Sequence, residues 1–329
     1  MLLLLSAGPP LAQSSQMPDN AGMMPAEPST RPRPRLRWRI VRLVLILVVL
    51  PLAGLLAVLY ALQAQILFPG HATQGRPEAR VEPPAGGELL HLTTHEGTRI
   101  TALFAPAIGP DGQPAADAQE RPTVLFFYGN AMCLADCGYH IDYFRRRLAV
   151  NIMVADYPGY GLSEGQPSEP ALRAGGMACL KHLRWRPDVD PKRIVLIGWS
   201  IGGGVAIDLA SREGDAIAGL VTLSTFTSIA RTARAVMPWI TPATILLRNR
   251  FESVRKIGRV AVPVLLVHGR DDEIIPFSMM DQLATAARAD GSKRVTTLPI
   301  DGAHHNDIFE AGGDTLESAL KRFLDGTAR

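Results

Sequence analysis

The run Arg193-Ile-Val-Leu-Ile-Gly-Trp-Ser-Ile-Gly-Gly-Gly-Val-Ala206 constrains this chain more than any other stretch. A block of β-branched and apolar residues ends in Gly198-Trp199-Ser200-Ile201-Gly202, and a helix-forming run follows at once. A strand that turns directly into a helix holds the central serine in strained backbone. It also demands glycine at the flanking positions, where any side chain would clash. The turn lifts the serine hydroxyl out of the sheet, toward the N-terminus of the next helix. Gly203 and Gly204 let that helix lie close to the sheet. Ser200 is therefore the candidate nucleophile.

The rest of the chain repeats this strand–helix pattern. Short apolar runs recur at residues 89–94, 98–105, 123–128, 151–155, 193–199, 218–224, 262–267 and 294–300. Helical stretches are expected at 141–148, 169–183, 201–212, 277–287 and 315–324. Such alternation predicts an α/β fold, an eight-stranded and mainly parallel sheet with helices on both faces. No helix separates the first strands, so that edge is expected to be antiparallel. Residues 226–257, between the serine and the next acidic loop, are enough for a small cap only.

A serine hydroxyl is a weak nucleophile unless a base takes its proton, and the base needs an acid to orient it. After Ser200 the chain supplies both, in the order acid then histidine. The strand at 262–267 runs into His268-Gly-Arg-Asp-Asp-Glu-Ile-Ile-Pro276, and the last strand runs into Asp301-Gly-Ala-His-His-Asn-Asp307. In a parallel sheet both loops emerge at the carboxyl edge, where Ser200 lies. Within the doublets Asp271/Asp272 and His304/His305 the residues alone leave the choice open. An acyl-transfer intermediate also needs donors for its oxyanion. The backbone N–H of Ile201 is one, and the loop Phe126-Phe-Tyr-Gly-Asn-Ala131 should provide another. The turn-rich Asp156-Tyr-Pro-Gly-Tyr-Gly-Leu-Ser163 segment reads as structural, bordering the pocket. Cys133, Cys137 and Cys179 are too few for a disulfide framework, and Cys133/Cys137 have no partner set for a metal. No metal and no organic cofactor is implied.

These motifs resemble the α/β-hydrolase superfamily over about residues 65–325. The likeness is greatest to a membrane-anchored branch containing prolyl-aminopeptidase-like serine hydrolases and protein depalmitoylases. In that branch the acid lies in H-G-x-x-D-x-x-x-P, which selects Asp272 here, and the histidine precedes Asn-Asp, which selects His305. The resemblance also implies Asn130 as the second oxyanion donor, through its backbone N–H. One position departs: the branch usually reads H-G-N-A where this chain has Tyr128-Gly129-Asn130-Ala131. The implied activity is hydrolysis of an ester or thioester, or a small amide, through an acyl-enzyme on Ser200. Its substrate would be a small molecule or carry an acyl chain. The alternative is a protein that keeps the fold as a non-catalytic binding or scaffold module.

The N-terminal part carries a different signal. Residues 43–62 are apolar without a charge, long enough to cross a bilayer, and six arginines from Arg31 to Arg42 precede them. A signal peptide's apolar core is only about 7–15 residues long, so a retained signal anchor is expected. The arginines should stay in the cytoplasm and send the C-terminal part across, into the periplasm if the cell is bacterial. The expected organisation is a disordered, Arg-rich tail (1–42), an anchor (43–62), a link (63–87) and the hydrolase domain (88–329). The net charge of +3 belongs to the tail: 28 basic residues face 29 acidic ones in the remainder. That balance leaves no footprint for nucleic acid.

Overall fold

The computed structural model describes residues 36–289 and 294–327. The chain divides into two units, residues 1–53 and 54–329. A helix, α1 (Leu36–Leu67), is long and apolar enough to cross a membrane, with a π-turn at Leu45–Val49. It is longer than the anchor read from the sequence. Residues 36–42 are helical rather than part of a disordered tail, because past Pro34 nothing in Leu36-Arg-Trp-Arg-Ile-Val-Arg42 breaks a helix. The remaining tail residues, 1–35, lie outside the described ones.

In the second unit α1 continues through residues expected to be a loose link. Gln63 is buried, and its side-chain carbonyl accepts the Arg248 N–H at 2.8 Å. Beyond the helix Phe68 and Ala79 are buried in full, so this part of the link packs as fold. The strands are β1 (Glu88–Thr93), β2 (Arg99–Ala105), β3 (Thr123–Phe127), β4 (Asn151–Ala155), β5 (Ile194–Trp199), β6 (Gly219–Leu223), β7 (Val264–Gly269) and β8 (Val295–Ile300). They form one sheet in the order β1-β2-β4-β3-β5-β6-β7-β8. The β1–β2 and β2–β4 pairs are antiparallel and the others parallel. The antiparallel β1–β2 pair follows from a tight turn, in which Thr94 and Thr98 are hydrogen-bonded and Gly97 takes φ +85°, leaving no room for a crossover helix. β3 to β7 are buried almost throughout, as strands covered on both faces must be.

After α1 this unit has the helices α2 (Gly138–Asp142), α3 (Glu169–Trp185), α4 (Ile201–Ala210), α5 (Ile229–Val236), α6 (Ser278–Ala287) and α7 (Ile308–Gly326), with one further helical turn at Ser253–Lys256. Two differ from expectation. The helix expected at 141–148 becomes the short α2 followed by a π-turn, Tyr143–Arg147. There Arg145 is buried to hydrogen-bond the carbonyls of Pro106 and Ala85. The last helix starts seven residues earlier than expected and absorbs a break at Gly313 (φ 41°, ψ −132°), a backbone shape that glycine tolerates. The cap is small: α5 and a 3-10 stretch, Pro238–Leu246, between β6 and β7.

Candidate active site

At the end of β5 the backbone turns into α4 through Ser200, whose φ of 55° and ψ of −120° are costly for a residue with a Cβ. The strain is held from both sides. The Ser200 N–H donates to the Leu223 carbonyl at 2.9 Å, and the Thr225 hydroxyl donates to the Ser200 carbonyl at 2.8 Å. The flanking glycines are dictated by space. A Cβ on Gly198 would lie 2.3 Å from the Gly202 carbonyl oxygen, and one on Gly202 would lie 2.1 Å from that of Phe127.

His305 and Asp272 come to Ser200 from the loops after β8 and β7. His305 Nε2 lies 3.0 Å from Ser200 Oγ, and His305 Nδ1 lies 2.8 Å from Asp272 Oδ2. The carboxylate can only accept, so it fixes the proton on Nδ1 and leaves the Nε2 lone pair for the serine O–H. The other members of the doublets point away. His304 and Asp271 are exposed, and His304 Nδ1 faces Glu273 at 3.2 Å, which raises the His304 pKa.

Asp272 is kept ionised although its side chain is buried. Burial pushes its pKa up, but hydrogen bonds from His268, His305 and the Ile275 N–H outweigh this and hold it below the ordinary carboxylate range. Oδ1 accepts the N–H groups of Ile274 (3.0 Å) and Ile275 (2.7 Å), and Oδ2 is shared by His305 and His268 Nε2 (3.2 Å). His268 Nε2 also faces the Ile275 carbonyl at 2.9 Å; with two acceptors before it, this nitrogen carries the proton. The Trp199 indole N–H donates to the His305 carbonyl at 3.2 Å and pins the histidine's backbone. Sequence reasoning assigned neither His268 nor Trp199 a role. The only available signal was their place within the motifs already singled out.

Beside the serine, Ile201 is the first residue of α4, so the helix ladder does not use its N–H. The loop after β3 passes close to the nucleophile: a Cβ on Gly129 would lie 3.9 Å from the Ser200 Cβ. Asn130 is tethered on two sides. Its carbonyl accepts the Gly70 N–H and the Tyr160 hydroxyl, both at 3.0 Å, and its side-chain amide donates to the Leu67 carbonyl, 3.2 Å away, at the end of α1.

Tyr128, the departure noted above, is fully buried and bonded. Its hydroxyl donates to Asp156 Oδ1 at 3.1 Å and accepts the Tyr157 N–H at 3.2 Å, while its carbonyl accepts the Tyr157 hydroxyl at 2.8 Å. Asp156 also accepts the N–H groups of Leu134 (2.6 Å) and Leu162 (2.8 Å). Burial raises its pKa, against the pull of these three donors. Gly161 exists for this carboxylate, since a Cβ there would stand 2.2 Å from Asp156 Oδ2. Ser163 spends its hydroxyl on the Asp156 carbonyl and the Thr101 N–H. Cys133 and Cys137 are buried free thiols; Cys137 donates to the Cys133 carbonyl at 3.4 Å, and burial pushes the Cys133 thiol up to about 11.

A family model described as the alpha/beta hydrolase fold matches residues 122–256. The uncharacterized protein Rv2307c of Mycobacterium tuberculosis is 32% identical over 289 residues, covering 87% of this chain and 95% of that protein. WAV2 of Arabidopsis thaliana, an alpha/beta hydrolase domain-containing protein, is 31% identical over 250 residues, covering 72% of this chain and 78% of its own. Among solved structures the Pyrococcus furiosus esterase Pf2001 superposes with a TM-score of 0.59 at 18% identity, over 76% of this chain and all of that one. A puromycin-hydrolyzing peptidase of M. tuberculosis gives 0.60 at 17% identity, over 74% of this chain and 39% of that one.

Proposed function

This chain belongs to the α/β-hydrolase family, and from that premise we propose that it is a serine hydrolase cleaving an ester or thioester through an acyl-enzyme on Ser200. One observation carries the reading: the unbroken line from Ser200 Oγ through both nitrogens of His305 to Asp272, at 3.0 and 2.8 Å. In the first step Oγ attacks the substrate carbonyl carbon while its proton passes to His305 Nε2. The imidazolium so formed is stabilised by Asp272. The carbonyl electron pair moves onto oxygen, which the N–H groups of Ile201 and Asn130 receive. As the intermediate collapses, His305 returns the proton to the leaving alcohol or thiol. Water then repeats the sequence on the acyl-enzyme, with His305 as its base, and frees the acid and Ser200.

A non-catalytic reading would find its support in Tyr128, which stands where the family usually has histidine. With its phenol bonded on both sides, that residue supports the Asn130 loop instead of disabling it. Ser200→Ala is the test of the proposal. It should abolish turnover of short p-nitrophenyl esters in a protein that still folds; turnover that persists would refute the acyl-enzyme on Ser200.

The length and apolar character of α1, with the arginines in and just before its first turns, support a second part of the proposal. The chain is a single-pass membrane protein with its N-terminus cytoplasmic and its hydrolase domain on the far side. Protease added to intact spheroplasts should digest that domain. Protection, or a soluble form cleaved beyond residue 62, would contradict the topology.

A further inference from the structure

The cap presents a surface that hydrolysis at Ser200 does not use. Val236, Met237, Trp239, Ile245 and Leu246, all in α5 and the turns after it, are large apolar side chains left exposed. Soluble surfaces rarely gather so many together. The same stretch, residues 229–251, holds four arginines and no acidic residue. All four arginines are exposed, and the partners of their guanidinium groups are neutral. Arg231 meets Gln282, Arg234 the Thr244 hydroxyl, Arg250 the carbonyls of Leu247 and Ile245, and Arg248 lies 4.0 Å over the Tyr60 ring.

This patch continues the surface of α1. Leu56, Leu59 and Leu67 of that helix face Ile229, Ala233 and Leu247 of the cap across an apolar cavity of about 160 Å³. The helix side of the patch is thus the last part of the segment proposed to span the bilayer. A segment that exposes a tryptophan and other apolar side chains, carries arginines and holds no acidic residue of its own has the chemistry of elements that lie in the plane of a membrane interface.

We propose that the cap segment 229–250 docks on the bilayer that α1 crosses, with Trp239 and Ile245 among the acyl chains and Arg231 and Arg250 on anionic headgroups. The inference rests on the membrane-spanning reading of α1. It brings the carboxyl edge of the sheet, and Ser200 with it, toward the lipid surface, because the cap starts at Ile229, four residues after Thr225, whose hydroxyl holds the Ser200 carbonyl.

The test uses the full chain in proteoliposomes, with a nitrobenzoxadiazole dye on Trp239→Cys or, as control, on Trp185→Cys at the exposed end of α3; Cys133, Cys137 and Cys179 are buried. Resistance to carbonate extraction reports on the span itself, independently of the dye. In an extraction-resistant protein the dye at 239 should be blue-shifted and quenched by doxyl-labelled lipid, while the dye at 185 is neither. Quenching should be stronger with phosphatidylglycerol than with phosphatidylcholine alone. Arg231→Gln and Arg250→Gln should each weaken the docking equilibrium roughly fivefold, from about 1 kcal/mol per basic residue near an anionic surface. Equal behaviour of the two dyes would overturn the proposal. So would a blue shift without doxyl quenching, which would mean that a second copy covers the patch. Quenching indifferent to phosphatidylglycerol would overturn the headgroup assignment. An extractable protein would instead fail the span.

Discussion

Asp272→Asn changes one atom and tests the logic of the site. Asp272 Oδ1 receives two backbone N–H groups, from Ile274 and Ile275, so an amide must put its oxygen there and its NH2 on the side of His305. That NH2 is a donor, and it meets His305 Nδ1 at the 2.8 Å contact where the carboxylate accepted. The histidine answers by moving its proton to Nε2. Nε2 then faces Ser200 Oγ as a donor and cannot take the serine proton. The equivalent change in a serine protease triad costs about 10⁴ in turnover through the wrong tautomer. A loss of that size corresponds to about 5.5 kcal/mol of transition-state stabilisation. The assay is kcat and KM on a short p-nitrophenyl ester, with thermal unfolding to show that the variant folds. The loss should fall on kcat, since the substrate does not touch Asp272. A folded variant within tenfold of the parent would refute the tautomer argument and the role of Asp272.

Other outcomes follow from the same geometry. His305→Ala should cost several orders of magnitude in turnover, whereas His304→Ala and Asp271→Ala, whose side chains face solvent, should cost less than about tenfold; kinetics on one ester ranks them. Ser200→Gly should be inactive yet about 1 kcal/mol more stable than Ser200→Ala by denaturant unfolding, because glycine relieves a strained backbone worth about 1–3 kcal/mol and gives back part of it in chain entropy. Tyr128→Phe should lose about 1–3 kcal/mol of stability, as it strips a donor from buried Asp156 and an acceptor from the Tyr157 N–H, and should lower kcat as the Asn130 loop loosens. Asp272 has a depressed pKa in the folded chain, so its stabilisation is complete above the unfolded value of about 4 and is lost as pH falls through the folded one. The melting temperatures of the parent and Asp272→Asn should therefore begin to draw together as pH falls below about 4, and meet only below the depressed folded value.

The sheet was legible because its central strands are buried on both faces, and such strands read as unbroken apolar runs, as in 194–198 and 264–267. The turn at Ser200 was legible because sterics leave only glycine at positions 198 and 202. Register within a loop was not. Asp271 and Asp272 have the same chemistry, and only the fold of residues 271–275 decides which carboxylate receives two N–H groups and which faces water. Element ends were legible only in part. The stretch 141–148 reads as one helix, yet Arg145 within it is buried to satisfy carbonyls distant in sequence. Residues 63–87 read as a link, but Phe68 is inside, and Gly70 is bonded to Asn130. Such tertiary partners leave no periodicity to read. His268 was hidden for the same reason, since a histidine at a strand end does not reveal that it faces a carboxylate four residues on.

The central claim is that Ser200 is the nucleophile, activated by His305. Intact-mass and peptide mapping after exposure to a fluorophosphonate test it directly, since such a probe reacts with an activated serine in place of substrate. The account predicts one adduct per chain, on the peptide carrying Ser200, and its loss in both Ser200→Ala and His305→Ala. An adduct elsewhere, or undiminished labelling in a folded Ser200→Ala or His305→Ala protein, would contradict it.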